Sequence, residues 1–462
     1  MSWSEEEFEA IDLGDRRLDN RAIQIVEALG LAPGRTIPQS FQAWNEIKAC
    51  YNFFDNDLVS EQKLLAPHIK KTIERIKEYP IVLLPSDTTD INYTTKKAMK
   101  GKERLDNKQN GLWLHSTIAV TPERLTLGVV NANFWHRNPE VASKDSSSRT
   151  VRDKAPIEEK ESYRWLQSYL AACEVAKEAP ETQIINITDR EGDIVEIFEK
   201  SAEIAEKDCA AFFIIRSQYD RLLEEADPET SEICKKLRQR LKETPSLGEV
   251  EYTIPPTEKR IGRKIKQQLK AASVTLKPRN KKLKKVKVNA VMAIEENPPE
   301  GEEPLIWVFL TNLPINTFDD VCKIISYYLC RWEIELFFKV LKSGCKVEER
   351  QLQTADRMKI MISIFMILAW RIMFTMMLGR VCSEMSAGEI FEEAEWKSVY
   401  KIVNNKKTLP RKPPKLGEFV RMIATLGGYV NKKGAEPPGV KTMWKGMARM
   451  VDFAIAWEAF GK

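Results

Sequence analysis

Three carboxylates in this sequence stand where a metal-dependent site could form. Asp87 follows the apolar run 81–84, and Asp189 follows the apolar run 184–187. Glu335 lies within a long helical pattern further along the chain. A set of ligands made of carboxylate oxygens alone suits Mg²⁺ or Mn²⁺ rather than zinc. Two such ions could activate a water or a 3′-hydroxyl and stabilise the leaving oxygen of a phosphoryl transfer.

The two aspartates share one context, the C-terminal end of a short apolar strand. In open α/β sheets this edge is where binding sites collect. A single aspartate at a strand end is also a common cap or turn former, so neither Asp87 nor Asp189 decides the matter alone. Asp90 and Asp193 lie close enough to be rival ligands. We interpret Asp90 as a turn residue and Asp193 as the N-cap of the next helix.

A predicted helix from Ile324 to Lys342 carries its polar side chains on one stripe. At 100° per residue, five polar groups fall within an arc of about 80°, and apolar side chains, Trp332 among them, cover the rest. An Arg–Glu pair on a solvated face would explain two of the charges, but not the tyrosine. Basic groups beside a carboxylate could grip phosphates. The stripe consists of Tyr328, Arg331, Glu335, Lys339 and Lys342.

The charge of the chain is concentrated in one block. The whole sequence has 72 basic and 67 acidic residues, a net charge of +5. Lys259–Lys287 holds 13 Lys or Arg residues and no acid. Such a block is typical of a surface that binds phosphate backbones, and a solvated basic hairpin without a partner is the alternative.

The most apolar stretch of the chain, 360–378, predicts a helix buried in a protein core. It contains Arg371, which is costly in the middle of a bilayer, so we expect no membrane partner. The opening MSWSEEEFEA is acidic and lacks the apolar region of a secretory signal. We therefore expect a cytoplasmic protein, associated with the nucleoid when it binds DNA.

Several short motifs occur together, in order and at fixed spacing. Asp87 stands in SDTTDINY and Asp189 in TDREGDI. The pattern Y-x(2)-R-x(3)-E-x(6)-K is complete from Tyr328 to Lys342. On these motifs the chain resembles the bacterial cut-and-paste DDE transposases of the insertion-sequence-four group, in particular those of the transposon-five type. The segments LGDRR (13–17) and LGGYV (426–430) are similar to the terminal regions of that family.

The resemblance implies an RNase H-like core with Asp87, Asp189 and Glu335 as the catalytic, metal-binding triad. The implied cofactor is Mg²⁺, for which Mn²⁺ can substitute, with two ions per site. The implied reaction is nicking of the 3′ strand, hairpin formation and opening, and strand transfer into target DNA. The implied partners are the inverted-repeat ends of a transposon, target DNA and a second copy of the chain in a synaptic dimer.

The resemblance also assigns DNA contacts. Trp307, in PLIWVFLTN, would stack on a flipped base, which the stripe residues Tyr328, Arg331 and Lys342 would help to hold. Arg190 beside Asp189 is similar to a DNA-contacting position of the family. The full set expected to bind DNA is Tyr328, Arg331, Lys339, Lys342, Trp307, Arg190, Arg216, Arg16 and Arg17.

Element periodicity and the resemblance together predict an α/β protein in three parts. A helical DNA-binding domain is expected over 1–75. The RNase H-like catalytic domain is expected over 76–375, with a β-rich, basic insertion at about 216–318. A helical dimerisation domain is expected over 376–462. Two alternatives stay open: a non-catalytic DNA-binding relative or inhibitor of transposition, and a structure-selective nuclease on the same core.

Overall fold

The structure is a computed structural model. It describes residues 2–31, 33–106, 108–136, 156–206, 210–224, 236–254, 262–278, 283–405, 408–432 and 434–460. Backbone contacts divide the chain into two compact units. The first unit comprises Met1–Glu78, Thr88–His136 and Glu333–Lys462, and the second comprises Tyr79–Asp87 and Arg137–Trp332. Strand β1, Ile81–Asn92, therefore gives its first half to the second unit and its second half to the first.

The first unit packs helices against a small antiparallel sheet. Beside the second half of β1 lie β2, Glu103–Arg104, β3, Asn110–Val120, and β4, Thr126–Trp135. The helices before the sheet are Trp3–Glu7, Arg16–Leu31, Ile37–Ser40, Trp44–Phe54 and Glu61–Ile76. After the sheet, this unit includes helix Trp332–Lys339 from Glu333 onward. Four further helices follow: Ala355–Val381, Glu393–Asn404, Leu416–Leu426 and Val440–Phe460.

The core of the first unit is the helix Ala355–Val381. By length and composition it could cross a membrane, with a mean hydropathy of 2.0 over its most apolar window, and 89% of that window is buried inside the protein. Arg371 is accommodated because its guanidinium lies over the ring of Trp3, 4.0 Å from the ring centre. Burial lowers the pKa of Arg371 to about 10, although nearby glutamates oppose this shift. The expected buried helix is thus confirmed.

The second unit is built on a mixed sheet. Its strands beyond β1 are β5, Gln183–Thr188, β6, Phe212–Arg216, β7, Gly248–Ile254, β8, Arg263–Leu276, β9, Val286–Glu295, and β10, Ile306–Thr311. The order is β1-β5-β6-β10-β9-β8-β7. The first three strands are parallel, and the later pairings are antiparallel. The helices of this unit are Tyr163–Glu178, Val195–Ala205, Leu237–Glu243 and Phe318–Leu329.

Hydrophobic patterning explains these strands. β5 is buried after its first residue and β6 between its two end residues, as parallel strands covered on both faces require. β8 instead alternates buried with more exposed residues over much of its length. This is the pattern of an antiparallel strand that has one face toward solvent. The mixed sheet and its helices confirm the α/β class. The β-rich segment expected within 216–318 is also present, as β7 to β10.

Candidate functional site

The two aspartates predicted from strand ends both lie two residues beyond the last pair that joins two neighbouring parallel strands. β1 pairs in parallel with β5, from Ile81 opposite Gln183 to Pro85 opposite Ile187. Continued by two residues, this register puts Asp87 level with Asp189. Residues level with each other on parallel strands point to the same face of a sheet. Asp189 accepts a hydrogen bond from the backbone N–H of Glu191 through Oδ1, at 2.8 Å.

Asp87 does not end its strand, contrary to the sequence-based expectation. β1 continues to Asn92, and Asp87 is the last residue of β1 that belongs to the second unit. The strand continues because its second half lies beside β3. The carbonyl oxygen of Ile91 is so close to Gly111 that a Cβ there would stand 1.9 Å away. Asp87 therefore lies just beyond the residues of β1 that pair with β5.

Arg331 reaches the first of these carboxylates. Its Nη1 donates a hydrogen bond to Oδ2 of Asp87 at 3.1 Å, and both side chains are largely buried. The guanidinium also lies over the ring of Tyr328, 6.0 Å from its centre. The structure thus brings together, within the second unit, three of the residues selected from the sequence.

Tyr328 joins the same group of charges. Burial raises the pKa of its hydroxyl, while the charges of Arg331 and Arg216 and a hydrogen bond with Arg216 oppose the rise. The charge of Asp189 also acts on Tyr328 and adds to the rise. A buried tyrosine between two guanidinium groups can donate a hydrogen bond to an anion that they bind.

Arg190 completes the basic side of the site. Burial lowers the pKa of its guanidinium, and repulsion by Arg216 and Arg238 lowers it further. Tyr328 and Asp189 act in the opposite direction. Arginines that repel one another around a sheet edge form a local positive field, which favours a bound phosphate.

The prediction of a single helix from Ile324 to Lys342 is wrong. Helix Phe318–Leu329 ends before Arg331, a new helix spans Trp332–Lys339, and a π-helical turn follows at Val340–Gly344. The N–H groups of Cys330 and Arg331 bond to carbonyls three residues back instead of four, so the chain turns between the helices. A continuous helical wheel therefore misplaced the residues after this turn.

The wheel also misassigned two neighbours of the break. Trp332 was expected on the apolar arc, yet 54% of it is exposed. Glu333 is buried instead, paired with Nη1 of Arg124 at 3.2 Å. Burial raises the pKa of Glu333, and Arg124 opposes that shift. The turn after Leu329 thus swaps which side chains face the core.

The remaining stripe residues belong to the first unit. Glu335 is partly buried and Lys339 is exposed. Lys342 lies in the π-helical turn, and its Nζ donates to Oδ1 of Asp90 at 3.1 Å. Asp90 is a strand residue of β1, not the turn residue expected. The assignment of Glu335 to a triad with Asp87 and Asp189 stays a prediction.

The chemistry of the donors decides whether these residues suit a metal. Asp87, Asp189 and Glu335 offer carboxylate oxygens only, the set preferred by Mg²⁺ and Mn²⁺. Among the described residues, no group of three or more His, Cys, Asp or Glu side chains is placed to hold an ion. At Asp87 the guanidinium of Arg331 supplies the positive charge. The donor types therefore fit a divalent ion, and binding one at Asp87 would compete with this ion pair.

Trp307 lies on β10 within a row of aromatic side chains. Its ring stacks on Tyr252 with centres 5.7 Å apart, and meets Phe309 edge to face at 6.3 Å. Phe309 in turn contacts Tyr328, with ring centres 4.5 Å apart. Sequence reasoning selected Trp307 and Tyr328 but missed Phe309, which connects them, and Tyr252, which stacks on Trp307. Period-two spacing from Trp307 to Phe309 was the available signal.

Asp193 has a different role from the helix cap expected. The N-cap of helix Val195–Ala205 is Ile194, and the side chain of Asp193 is completely buried. Its carboxylate accepts hydrogen bonds from the backbone of Gln218 and Tyr219 and pairs with Arg221. Asp193 does not cap the helix because hydrogen bonds and an ion pair from the loop after β6 satisfy its carboxylate more fully.

The basic residues outside the sheet edge fall into two groups. Arg16 and Arg17 are exposed on helix Arg16–Leu31, and Arg17 pairs with Asp15. In Lys259–Lys287, residues 259–261 and 279–282 lie outside the described residues. The described part forms all of β8 and the start of β9. Several of its cations pair with carboxylates of the second unit: Arg263 with Glu295 and Glu302, Lys266 with Glu249 and Glu296, and Lys285 with Glu224.

Two family models match the chain, one near each end. Residues 1–59 match a model described as Transposase DNA-binding, and residues 367–458 match one described as Transposase Tn5 dimerisation domain. Among solved structures, the chain is similar to a piggyBac transposase in a cryo-EM synaptic complex with hairpin DNA. The identity is 8% and the TM-score 0.35, over 98% of this chain and 77% of that chain, a likeness that supports no conclusion. The two domain matches support a DNA transposase similar to that of Tn5, with DNA-binding and dimerisation domains.

Proposed function

We propose that the protein is a DDE transposase of the insertion-sequence-four group, which cuts and joins DNA by phosphoryl transfer. The observation that carries the proposal is the parallel pairing of β1 with β5, with Asp87 two residues after the last pair and Asp189 directly after β5, bordered by arginines. The transposase DNA-binding and dimerisation matches support it independently. The parallel order β1-β5-β6, with Asp87 and Asp189 just beyond the point where β1 and β5 stop pairing, supports an RNase H-like core.

In this proposal Asp87, Asp189 and Glu335 hold one or two Mg²⁺ ions. Bound there, the ions would lower the pKa of a nucleophilic water or hydroxyl and stabilise the leaving oxygen. In the first step a water oxygen forms a bond to the scissile phosphorus, and the 3′ oxygen leaves as a hydroxyl. That hydroxyl then attacks the opposite strand to close a hairpin, a second water opens it, and the freed 3′ end joins target DNA.

The residues of this chain would position the DNA through its phosphates. Arg331, Arg190 and Arg216 offer guanidinium groups that match phosphate oxygens in pairs. Arg331 has a second role, because it neutralises Asp87 until DNA and metal arrive. Trp307 would stack on an unpaired base. The other rings of the aromatic row from Tyr252 to Tyr328 would hold the Trp307 ring in place. Lys339, Lys342, Arg16 and Arg17 would add further phosphate contacts, and a second copy of the chain would complete the synaptic complex.

The experiment that tests the proposal is strand cleavage of a plasmid that carries the gene with its natural flanking DNA. Wild-type protein, purified and supplied with Mg²⁺, is expected to nick and then release the flanked segment. Glu335→Gln should bind the same DNA and leave it intact. Glu349→Gln, which neutralises an exposed glutamate of the same unit, is the matched control and should cleave like wild type. Cleavage by Glu335→Gln at the wild-type rate would overturn the triad.

One observation favours a second candidate, a non-catalytic DNA-binding relative. Within the described ranges no three acidic or other metal-binding side chains converge, and Arg331 occupies Asp87. The same plasmid assay separates the two functions, since a binding protein would shift the DNA in a gel without cutting it. Joining of a pre-cut 3′-hydroxyl end to plasmid further separates a transposase from a nuclease on the same core.

A further inference from the structure

Three arginines from separate segments near Asp189 act on one another electrostatically, since the charges of Arg216 and Arg238 both lower the pKa of Arg190. Arg190 directly follows this aspartate, Arg216 is the last residue of β6, and Arg238 lies in helix Leu237–Glu243. The first two were expected from the sequence. Arg238 belongs to no motif, and only the folded chain brings it to this edge of the sheet.

A buried carboxylate fixes the loop that follows Arg216. Asp193 accepts hydrogen bonds from the N–H groups of Gln218 at 2.8 Å and Tyr219 at 3.1 Å. Its other oxygen accepts from Nε of Arg221 at 2.9 Å. Because Asp193 is itself four residues after Asp189, these bonds connect the Asp189 loop rigidly to the loop after β6.

The same loop then fixes the segment that carries Arg238. The carbonyl oxygen of Arg221 accepts from the N–H of Leu237 at 2.9 Å. Oδ1 of Asp220 accepts from the N–H of Arg238, also at 2.9 Å. A chain of hydrogen bonds therefore runs from the Asp189 loop to the backbone of Arg238, so the position of this arginine is determined by the fold.

The three guanidinium groups differ from their neighbour Arg221 in how their charge is balanced. Within the described residues, none of Arg190, Arg216 and Arg238 forms an ion pair with a carboxylate, whereas Arg221 is paired with Asp193. Arg216 is partly buried and bonds to the hydroxyl of Tyr328, and the other two are exposed. Like charges held together at a surface are stabilised by a bound anion.

We propose that Arg238 completes, with Arg190 and Arg216, a pocket for one backbone phosphate of the DNA strand at the candidate site. Asp193 is the positioning residue, since it holds two of the three segments without reaching the pocket itself. Guanidinium groups from three directions can satisfy both free oxygens of a phosphodiester. This inference rests on the proposed function, because it identifies how that site would grip its substrate.

The test measures the binding of a short fluorescent DNA duplex by fluorescence anisotropy. EDTA is present so that no cleavage occurs. Dissociation constants are measured from about 50 to 200 mM salt. The variants are Arg238→Gln and its matched control Arg240→Gln, which removes the same charge from the same helix. Arg190→Gln and the double variant Arg216→Gln/Arg238→Gln complete the set, with Arg216→Gln as its reference.

Arg238→Gln should weaken binding about fivefold or more at the lowest salt and lower the salt slope by less than about 0.9, the value for one neutralised phosphate, because Arg190 and Arg216 still face that phosphate. Arg240→Gln should keep the wild-type slope. Because one phosphate is shared, the loss of affinity caused by Arg238→Gln should shrink in the Arg216→Gln background.

Two outcomes would overturn the pocket. One is that the dissociation constants of Arg238→Gln match those of Arg240→Gln at every salt concentration, while Arg190→Gln still binds DNA more weakly than wild type. The other is a fully additive double variant. If Arg190→Gln and Arg216→Gln also bind like wild type, the failure lies with the DNA-processing site itself, and the proposed function fails with the inference.

Discussion

Nη1 of Arg331 lies 3.1 Å from Oδ2 of Asp87, in an ion pair whose side chains are 14% and 20% exposed. The two residues are far apart in sequence, and Arg331 lies in the turn between helices Phe318–Leu329 and Trp332–Lys339. A divalent ion at Asp87 would have to displace this guanidinium. In the proposed function, the pair would connect metal binding at Asp87 to the position of an arginine that contacts DNA.

Removing the guanidinium should therefore strengthen metal binding in the absence of DNA. We expect Arg331→Gln to bind Mn²⁺ about fivefold more tightly, since a partly buried ion pair contributes up to about 1 kcal/mol. Electron paramagnetic resonance of free Mn²⁺ measures this directly. Lys266→Gln, which breaks an ion pair with Glu249 elsewhere in the same unit, should leave the affinity unchanged. An affinity equal to wild type in Arg331→Gln would show that the ion does not bind at Asp87.

Trp307→Ala should impair hairpin formation more than the first nick. Stacking of one base on an aromatic ring contributes about 1–3 kcal/mol, and only the hairpin step needs the flipped base. Single-turnover gels that resolve nicked and hairpin products measure both rates. Tyr252→Phe preserves the ring that supports Trp307 and should behave as wild type. Equal losses in both steps would contradict the stacking role.

The basic strands should contain cations of two kinds. Lys264, Lys277 and Lys287 are exposed and, within the described ranges, form no ion pair with a carboxylate. We expect their replacement by Gln to lower the salt slope of DNA binding by about 0.9 for each phosphate that is no longer neutralised. Replacing Arg263, Lys266 and Lys285, which are already paired, should change the slope much less. Equal slopes for both triple variants would mean that ion pairing does not select the DNA-facing cations.

The helical end of the first unit should lose stability in acid through Glu7. Burial alone would raise the pKa of this carboxyl, but hydrogen bonds and charge from His68 and Arg75 outweigh it and lower the pKa from 4.5 to about 2. A carboxyl whose pKa is depressed on folding stabilises the folded state above its unfolded pKa, and that contribution disappears as pH falls through the folded pKa.

The expected contribution of Glu7 is about 3 kcal/mol near neutral pH. Denaturant unfolding of wild type and Glu7→Gln between about pH 6 and pH 3 measures it, because the gap between the two proteins should narrow as acid titrates the carboxyl. A gap that stays constant over this range would show that the ionisation of Glu7 does not contribute.

Local patterns predicted most elements of this fold but not where they end. The apolar runs of β5 and β6 and the helix Ala355–Val381 follow directly from composition and period. β1 was expected to stop near Asp87, since polar residues follow. It continues because the close approach of Ile91 to Gly111 lets a second strand pair with it, a contact between distant residues that no local pattern contains.

The candidate site was predictable in its residues and not in its geometry. The turn at Cys330 and Arg331 has no proline or glycine to announce it, so the spacing of the motif suggested one continuous helix. Asp193 had the sequence context of a helix cap, and only the folded loop 217–221 shows its buried role. Arg238 had no local signal, because its significance comes from neighbours that other strands supply.

The most direct test of the proposed site is the position of a divalent ion relative to the three carboxylates. Crystals of the protein with DNA and Mn²⁺, measured at the manganese absorption edge, would locate the ion by its anomalous signal. We predict one or two ions within about 2.0–2.6 Å of oxygens from Asp87, Asp189 and Glu335, with Arg331 moved from Asp87 to a phosphate. An anomalous signal elsewhere, or carboxylates that stay apart with DNA and Mn²⁺ bound, would contradict the phosphoryl-transfer site.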